Sequence, residues 1–218
     1  MQLEKEKVFL TANHAPEVNA QVKPIKKSDL FVDANDDTPV LFIACRLSAE
    51  KGIMDLPDIM ARARKSLPNL KLVIAGSGPA EEELKALLPD ARFMGWIDKA
   101  TLASLYAGLD MFIFPSRFDT FGNVLLEAFA HGMPAIAYDC KGPRDIIEHE
   151  ISGYLVNDPG EMAAQIVTHF GWQARRNTMR TAARARAGHY SADRIMTQYV
   201  KDLGLPTPLH VVEQRSVA

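Results

Sequence analysis

The chain has 218 residues, and 47% of them are hydrophobic, enough to build a core for one large domain or two small ones. Its 25 Lys and Arg residues nearly balance its 27 Asp and Glu residues, so the formal net charge is -2. This balance gives no overall basic field for nucleic acid and no acidic solvating tail, so we expect no nucleic-acid partner and look for partners at local sites.

Cysteine usage and hydropathy predict where the protein works. Cys45 and Cys140 lie far apart without the spacing of a zinc site, and His131 and His149 are interpreted as surface or loop residues. The first ten residues lack the apolar core of a secretory signal, and no window approaches the ~18 consecutive apolar residues of a membrane span. We therefore expect a cytoplasmic protein without a bound metal or cofactor, and peripheral association with a membrane surface stays open.

The pattern along the chain predicts three parts. Residues 1–38 mix charged pieces with one short apolar run and no clear period, which indicates a leader or linker, and residues 205–218 are predicted to be a tail. Between them, over 39–204, strand-like and helix-like segments alternate with short turns. Such alternation predicts an α/β fold with a doubly wound parallel sheet, closed by C-terminal helices.

The individual elements follow from runs of apolar residues and from helical periodicity. Continuous apolar runs predict strands at 39–45, 70–75, 91–94, 110–114, 135–138 and 153–156. Helical patterns predict helices at 52–66, 80–88, 99–107, 122–131, 143–148, 160–170, 173–187 and 192–203.

The stretch from Pro115 to Pro134, PSRFDTFGNVLLEAFAHGMP, leaves a predicted strand and enters a predicted helix. Such a junction offers unpaired backbone N–H groups and the positive end of a helix dipole, which together suit a phosphate. Gly122 lies where a ligand would approach most closely, and Asp119 and Glu127 flank it. Phosphate donors beside acidic groups suggest a sugar nucleotide.

The loops after the other predicted strands share the same edge of the sheet, where open α/β sheets bind their ligands. Arg46 and Lys51 follow the first strand and could hold a diphosphate, although solvated surface charges are the alternative. Gly76 opens the AGSGP turn after the second strand, whose incomplete glycine pattern disfavours a nicotinamide dinucleotide site. After the third strand, the backbone of Trp96 and Ile97 could meet a flat ring, or Trp96 could simply pack.

The arginines of the penultimate predicted helix recur at about helical spacing and could contact anionic lipid or a nucleotide. A solvated helix face is the simpler interpretation, and we favour it. These residues are Arg175, Arg176, Arg180 and Arg184.

Ordered motifs at five successive predicted strand ends resemble one family. In chain order they are RLSAEKG, LVIAGSGP, FMGWI, FPSRFDTFGNVLLEAFAHGMPAIA and GPRDIIEHEISGYLV. They resemble the donor-binding, C-terminal half of retaining GT-B glycosyltransferases, glycosyltransferase family four, over about residues 39–170. The ending HYSADRIMTQYVKDL is similar to the closing helix of that family. The resemblance implies a Rossmann-like nucleotide-sugar-binding domain over 39–204.

The resemblance also implies roles for individual residues. In that family two acids with seven residues between them bracket the loop: the first contacts the transferred sugar and the second binds the ribose hydroxyls. Asp119 and Glu127 occupy these positions, and Asp119 is one methylene shorter than the usual glutamate. Arg46 and Lys51 are implied to hold the diphosphate. The other implied donor-binding positions are Gly76, Ile97, Thr120, Phe121, Gly122, Asn123 and Val124, with Ile97 at the base.

The implied reaction is retaining, metal-independent transfer of a hexosyl group from a UDP- or GDP-linked sugar. Negative charge that grows on the departing diphosphate is stabilised by fixed cations and helix N–H groups. Because the family usually carries a separate acceptor-binding domain, we expect that domain elsewhere in the same protein, or in a partner chain. Lipid, polysaccharide and small-molecule acceptors stay open. The alternatives are a non-catalytic nucleotide-sugar-binding or regulatory subunit, and a GT-B type sugar phosphorylase or epimerase.

Overall fold

The computed structural model describes residues 12–119 and 121–204, so the whole predicted tail, residues 205–218, and the first part of the predicted leader lie outside it. The strands of the described residues form one sheet. They are β1 (Val40–Ala44), β2 (Lys71–Ala75), β3 (Arg92–Gly95), β4 (Met111–Phe114), β5 (Ala135–Tyr138) and β6 (Gly153–Val156). All neighbours are parallel, in the order β3-β2-β1-β4-β5-β6, which confirms the predicted doubly wound sheet.

The order of the strands reverses between β1 and β4, and this point positions the site. A ligand crevice opens outside the carboxyl ends of the strands at such a switch point. The register of β1 with β2 runs from Val40 opposite Lys71 to Ala44 opposite Ala75. The register of β1 with β4 is shorter and begins with Leu41 opposite Met111.

The helices are close to those predicted. Within the described residues they are α1 (Leu56–Ala63), α2 (Glu81–Leu87), α3 (Lys99–Gly108), α4 (Asn123–Ala130), α5 (Pro143–Ile146), α6 (Pro159–Gly171), α7 (Gln173–Gly188) and α8 (Ala192–Asp202). The first of them begins later than the predicted residue 52. Two 3-10 turns, Ala49–Lys51 and Ile53–Asp55, precede it, and Gly52 between them has a φ of 68° that an α-helix cannot contain.

Alternate residues of each strand face two separate cores. Leu41 and Ile43 belong to a core covered by α1, α2 and α6, whereas Val40 and Phe42 belong to a core covered by α3, α4 and α5. Helix α7 contributes to both. Because the sheet is buried on both faces, its strands read as continuous apolar runs in the sequence.

The described part of the predicted leader or linker, residues 12–38, packs on the domain. The Ala15 N–H donates to the Tyr190 carbonyl oxygen at 2.7 Å. Lys27 is buried, and its Nζ lies 2.8 Å from the Asp110 carboxylate. Burial raises the pKa of Asp110, and the Lys27 charge opposes that rise. A partly buried ion pair therefore ties the segment to the sheet.

Helix α7 does not present the solvated arginine face that we expected. Arg180 donates to the Leu109 carbonyl oxygen at 3.1 Å, and Arg184 donates to that of His131 at 3.2 Å. Arg175 and Arg176 also have protein partners. His131, expected at the surface, is buried at the end of α4. Helical spacing alone could not reveal this, because the carbonyl groups left over at element ends belong to distant segments.

None of the helices in the described ranges is both long and apolar enough to cross a lipid bilayer.

His169, in α6, is buried. It is 1% exposed, and its Nδ1 lies 3.4 Å from the Tyr154 hydroxyl oxygen. Burial, reinforced by the charges of Arg176 and Arg175, lowers the pKa of His169 to about 3.

His169 therefore makes stability depend on pH. Below its ordinary pKa of 6.5 the unfolded chain binds a proton at this residue, whereas the folded chain binds none until about pH 3. The free energy of unfolding should fall as pH falls through this window, by up to about 1.4 kcal/mol per pH unit from His169. His169→Phe should remove that part of the slope.

Urea unfolding of wild type and His169→Phe at pH values of about 4.5, 5.5 and 6.5 measures the slope directly. His189→Gln, at an exposed position, is the control and should keep the wild-type slope. Equal slopes for wild type and His169→Phe would contradict the assignment.

Candidate functional site

The loops at the carboxyl edge of the sheet touch through their backbones. A Cβ added to Gly52, in the loop after β1, would lie 1.8 Å from the Pro115 carbonyl oxygen, in the loop after β4. A Cβ added to Gly76, after β2, would lie 1.9 Å from the Cys45 carbonyl oxygen. Both glycines have a positive φ, which other residues rarely adopt. Only glycine fits at these points, so three neighbouring loops lie in direct contact.

This contact brings together two of the predicted site residues. Lys51 Nζ lies 3.1 Å from Asp119 Oδ2, and the two side chains are 30% and 16% exposed. Asp119 Oδ1 also accepts the Phe121 N–H at 3.2 Å. A partly exposed ion pair of this kind contributes only about 0–1 kcal/mol to stability. We conclude that the pair orients the lysine and the loop more than it stabilises the fold.

Among the described residues, the start of α4 has no side-chain cap, like the starts of α1, α2, α5, α7 and α8 and unlike those of α3 and α6. Helix α3 begins at Asp98, whose carboxylate accepts the Thr101 N–H at 2.7 Å, and α6 begins in the same way at Asp158. Helix α4 begins at Gly122, and no side chain of the described residues caps it. Its first-turn N–H groups and the positive end of its dipole therefore suit an external anion.

Glu127 lies just beyond the first turn of α4 and is half-buried. The Tyr106 hydroxyl donates to Glu127 Oε2 at 3.1 Å. The side chain of Asn123, at the start of the same helix, accepts a hydrogen bond from Asn13 Nδ2 at 2.8 Å. Nothing in the sequence signalled Tyr106 or Asn13, because both lie outside the motif that they contact.

The other predicted residues that the structure describes lie on the same edge of the sheet. Arg46 is exposed after β1, and no hydrogen bond or ion pair joins its side chain to another described residue. Ile97 is half-buried against the core under α3 and α4. Trp96 is 82% exposed, so it does not pack in the core. Thr120 lies outside the described residues.

A second cluster supports the loop after β4. The Arg117 guanidinium lies 3.9 Å from the Tyr138 ring centroid and 3.2 Å from Asp55. The Tyr138 hydroxyl donates to the same aspartate at 2.5 Å. Sequence reasoning missed this cluster because its members come from three distant segments. In the ranges 12–119 and 121–204, no three His, Cys, Asp or Glu side chains gather so as to hold a metal ion.

The family model described as "Glycosyl transferases group 1" matches residues 38–170. The chain belongs to this family. Over 173 residues it is 34% identical to a GDP-mannose-dependent alpha-mannosyltransferase of Mycolicibacterium smegmatis. The aligned region covers 78% of this chain and 45% of the relative. A protein of the same name from Corynebacterium glutamicum is 38% identical over 112 residues, 51% of this chain and 26% of the relative. This glycosyltransferase-family chain thus spans less than half the length of these relatives.

Among solved structures, a variant of Staphylococcus aureus TarM in complex with Fondaparinux, alpha-GlcNAc-glycerol and UDP has a TM-score of 0.77 to this glycosyltransferase-family chain. The two share 19% identity, over 93% of this chain and 40% of the other. At that identity the likeness concerns the fold. It confirms the predicted Rossmann-like architecture of a GT-B C-terminal domain.

The loop contact at Gly52 can be tested by adding one methyl group. Gly52→Ala should lower the free energy of unfolding by about 2 kcal/mol more than Gly95→Ala, because the new Cβ overlaps a backbone atom. Gly95 is the matched control: its φ is 61° rather than 68°, and nothing lies within 4 Å of an added Cβ. Chemical denaturation of both variants gives the comparison, and equal losses would contradict a steric role for Gly52.

Proposed function

We propose that this chain is the donor-binding domain of a glycosyltransferase that binds a nucleotide diphosphate sugar and transfers the sugar with retention of configuration and without a metal ion. One observation carries the proposal. Lys51, Asp119 and the uncapped start of α4 converge at the switch point between β1 and β4. A cation, a carboxylate and unpaired N–H groups are what a diphosphate joined to a polyhydroxylated sugar requires.

The diphosphate would take the cationic groups of the site. Lys51 supplies a point charge, and the exposed Arg46 on the same loop supplies a planar fork of donors. The N–H groups around Gly122 and Asn123 complete the set from the side of α4. Glu127 would accept hydrogen bonds from the ribose hydroxyls, and the backbone near Ile97 would meet the base.

Donor binding would redistribute the partners of Lys51. Its ion pair with Asp119 contributes only about 0–1 kcal/mol, and a diphosphate carries more negative charge than one carboxylate. The diphosphate would therefore draw Lys51 away from the carboxylate. Asp119, once released, would be able to accept a hydroxyl of the transferred sugar, as proposed for this position.

The same groups would lower the barrier to transfer. As the bond between sugar and diphosphate breaks, positive charge develops on the sugar and negative charge on the leaving diphosphate. Fixed cations and N–H groups stabilise that leaving group without reorganising during the reaction. Lys51, Arg46 and the start of α4 would supply this stabilisation, and Asp119 would lie beside the developing positive charge.

The relatives indicate candidate nucleotides and a missing component. Two are named for GDP-mannose, and the TarM variant was solved with UDP, so guanosine and uridine diphosphate sugars are the first donors to test. Because the chain covers under half of those relatives, we propose that acceptor binding is supplied by other residues of the same protein or by a partner chain. A cytoplasmic location, at the membrane surface where the acceptor is a lipid, completes the proposal.

The donor should raise the melting temperature of the chain, and a screen of uridine, guanosine and adenosine diphosphate sugars identifies it. With that donor, Lys51→Met and Glu127→Gln should each weaken binding about 10- to 100-fold, because each removes a charge-assisted hydrogen bond. Calorimetry measures both dissociation constants.

The control for Lys51 is Lys71→Met, which removes the lysine of another Lys–Asp pair, formed with Asp33 at 2.5 Å, at the amino end of β2. Its affinity should equal that of wild type. Wild-type affinity in both Lys51→Met and Glu127→Gln would refute the proposed site.

The variant Asp119→Asn distinguishes binding of the sugar from binding of the diphosphate. The amide no longer competes for the Lys51 charge, so a nucleoside diphosphate without sugar should bind at least as tightly as it does to wild type. The ratio of the affinity for the nucleotide sugar to the affinity for the nucleoside diphosphate should fall about 5-fold in this variant. The reason is that a neutral acceptor forms a weaker hydrogen bond than a carboxylate. Asp33→Asn is the control on the opposite edge of the sheet. An equal loss for the nucleoside diphosphate and its sugar would show that Asp119 does not contact the sugar.

A further inference from the structure

Glu127 is held by a buried tyrosine that belongs to another helix. Tyr106, near the end of α3, is 1% exposed, and its hydroxyl donates to Glu127 Oε2 at 3.1 Å. Burial, followed by the Glu127 charge, raises the pKa of Tyr106 well above its ordinary value of 10. The hydroxyl therefore keeps its proton and stays a donor to the carboxylate.

The ring of Tyr106 cannot easily move. It meets the Phe42 ring edge-on at 5.3 Å and the Phe112 ring at 5.7 Å, and it stacks on His131 at 5.6 Å. His131 Nδ1 in turn lies 2.9 Å from the Glu127 carbonyl oxygen. Close packing of this kind leaves the tyrosine a single rotamer. The stacked pair of Tyr106 and His131 thus contacts both parts of Glu127: Tyr106 contacts the carboxylate, and His131 contacts the main chain.

Fixing this carboxylate has a consequence for binding. A free glutamate side chain loses rotamer freedom when a ligand orders it, at a cost of about 0.5–1.5 kcal/mol. The Tyr106 hydroxyl donates a hydrogen bond to Glu127 Oε2, and no hydrogen bond joins Oε1 to another residue in the described part of the chain. The second oxygen is therefore presented, already ordered, to a ligand.

We propose that Tyr106 is a positioning residue for nucleotide recognition, which holds Glu127 so that the chain binds a ribose in preference to a 2′-deoxyribose. This inference rests on the proposed function, in which Glu127 accepts the ribose hydroxyls. It adds a residue that touches no part of the donor, and it assigns the selectivity for ribonucleotides to the Tyr106–Glu127 pair. A purely structural Tyr106 would affect stability and would leave this selectivity unchanged.

The test removes one oxygen atom. Tyr106→Phe keeps the packed ring and deletes only the donor to Glu127. Tyr154→Phe is the matched control: Tyr154 is fully buried in the other core, and its hydroxyl faces His169. For each protein, calorimetry gives the dissociation constants of UDP, GDP and their 2′-deoxy counterparts, and the ratio of deoxy to ribo constants is the selectivity.

Wild type should prefer the ribonucleotide about 10- to 100-fold, the range of a hydrogen bond to a charged group. Tyr106→Phe should lower that preference about 3- to 10-fold through weaker ribonucleotide binding, with the 2′-deoxy constant unchanged. Tyr154→Phe should keep the wild-type ratio. In a Glu127→Gln background, Tyr106→Phe should have a smaller effect, since the carboxylate that it positions is gone.

Two results would overturn the inference in distinguishable ways. If wild type discriminates and Tyr106→Phe keeps the full ratio, the positioning role fails while the proposed site stands. If wild type binds ribo and deoxy nucleotides equally, the ribose role of Glu127 fails and this inference fails with it, whereas nucleotide binding by the chain, and with it the proposed function, stands.

Discussion

The site depends on one steric constraint, the backbone contact between the loop after β1 and the loop after β4. Gly52 allows the Pro115 carbonyl oxygen to occupy the space that a Cβ would fill. A larger residue would separate the two loops, and with them Lys51 and Asp119. The geometry of the charged groups therefore follows from packing between main-chain atoms, which is stiffer than any contact between long side chains. The ion pair is a result of this arrangement.

Beside that contact, the start of α4 has no side-chain cap among the described residues. Helices α3 and α6 each begin with an aspartate cap, whereas α4 begins with Gly122 and without a cap from the described residues. A good capping side chain stabilises a helix by about 1 kcal/mol. Leaving it out at α4 keeps the positive end of the helix open to an anion. The omission occurs at the switch point of the sheet, where open α/β folds bind ligands.

Most of the fold could be predicted from local patterns, because strands buried on both faces are continuous apolar runs and the helices between them are amphipathic. The segment from Asp119 to Glu127 could also be predicted to form part of the site, because its acids and its glycine lie within one motif. Tyr106 and the cluster of Arg117, Tyr138 and Asp55 were not, because each depends on contacts between residues far apart in the chain. The partners of the α7 arginines were missed for the same reason: a helical period shows which residues share a face and not what that face meets.

The partly buried Lys27–Asp110 pair lies at the end of the sheet opposite the crevice, where it helps to hold β1 and β4 together. The Asp110 carboxylate also accepts the Val40 N–H at 2.8 Å, so it fastens the amino ends of β1 and β4 to each other. At the carboxyl ends of the same two strands, Gly52 packs against the Pro115 carbonyl oxygen in the loops that follow them. The two halves of the sheet meet where β1 pairs with β4 over a short register. Contacts therefore join these two strands at both of their ends. We expect these contacts to make the two halves of the sheet resist sliding past each other.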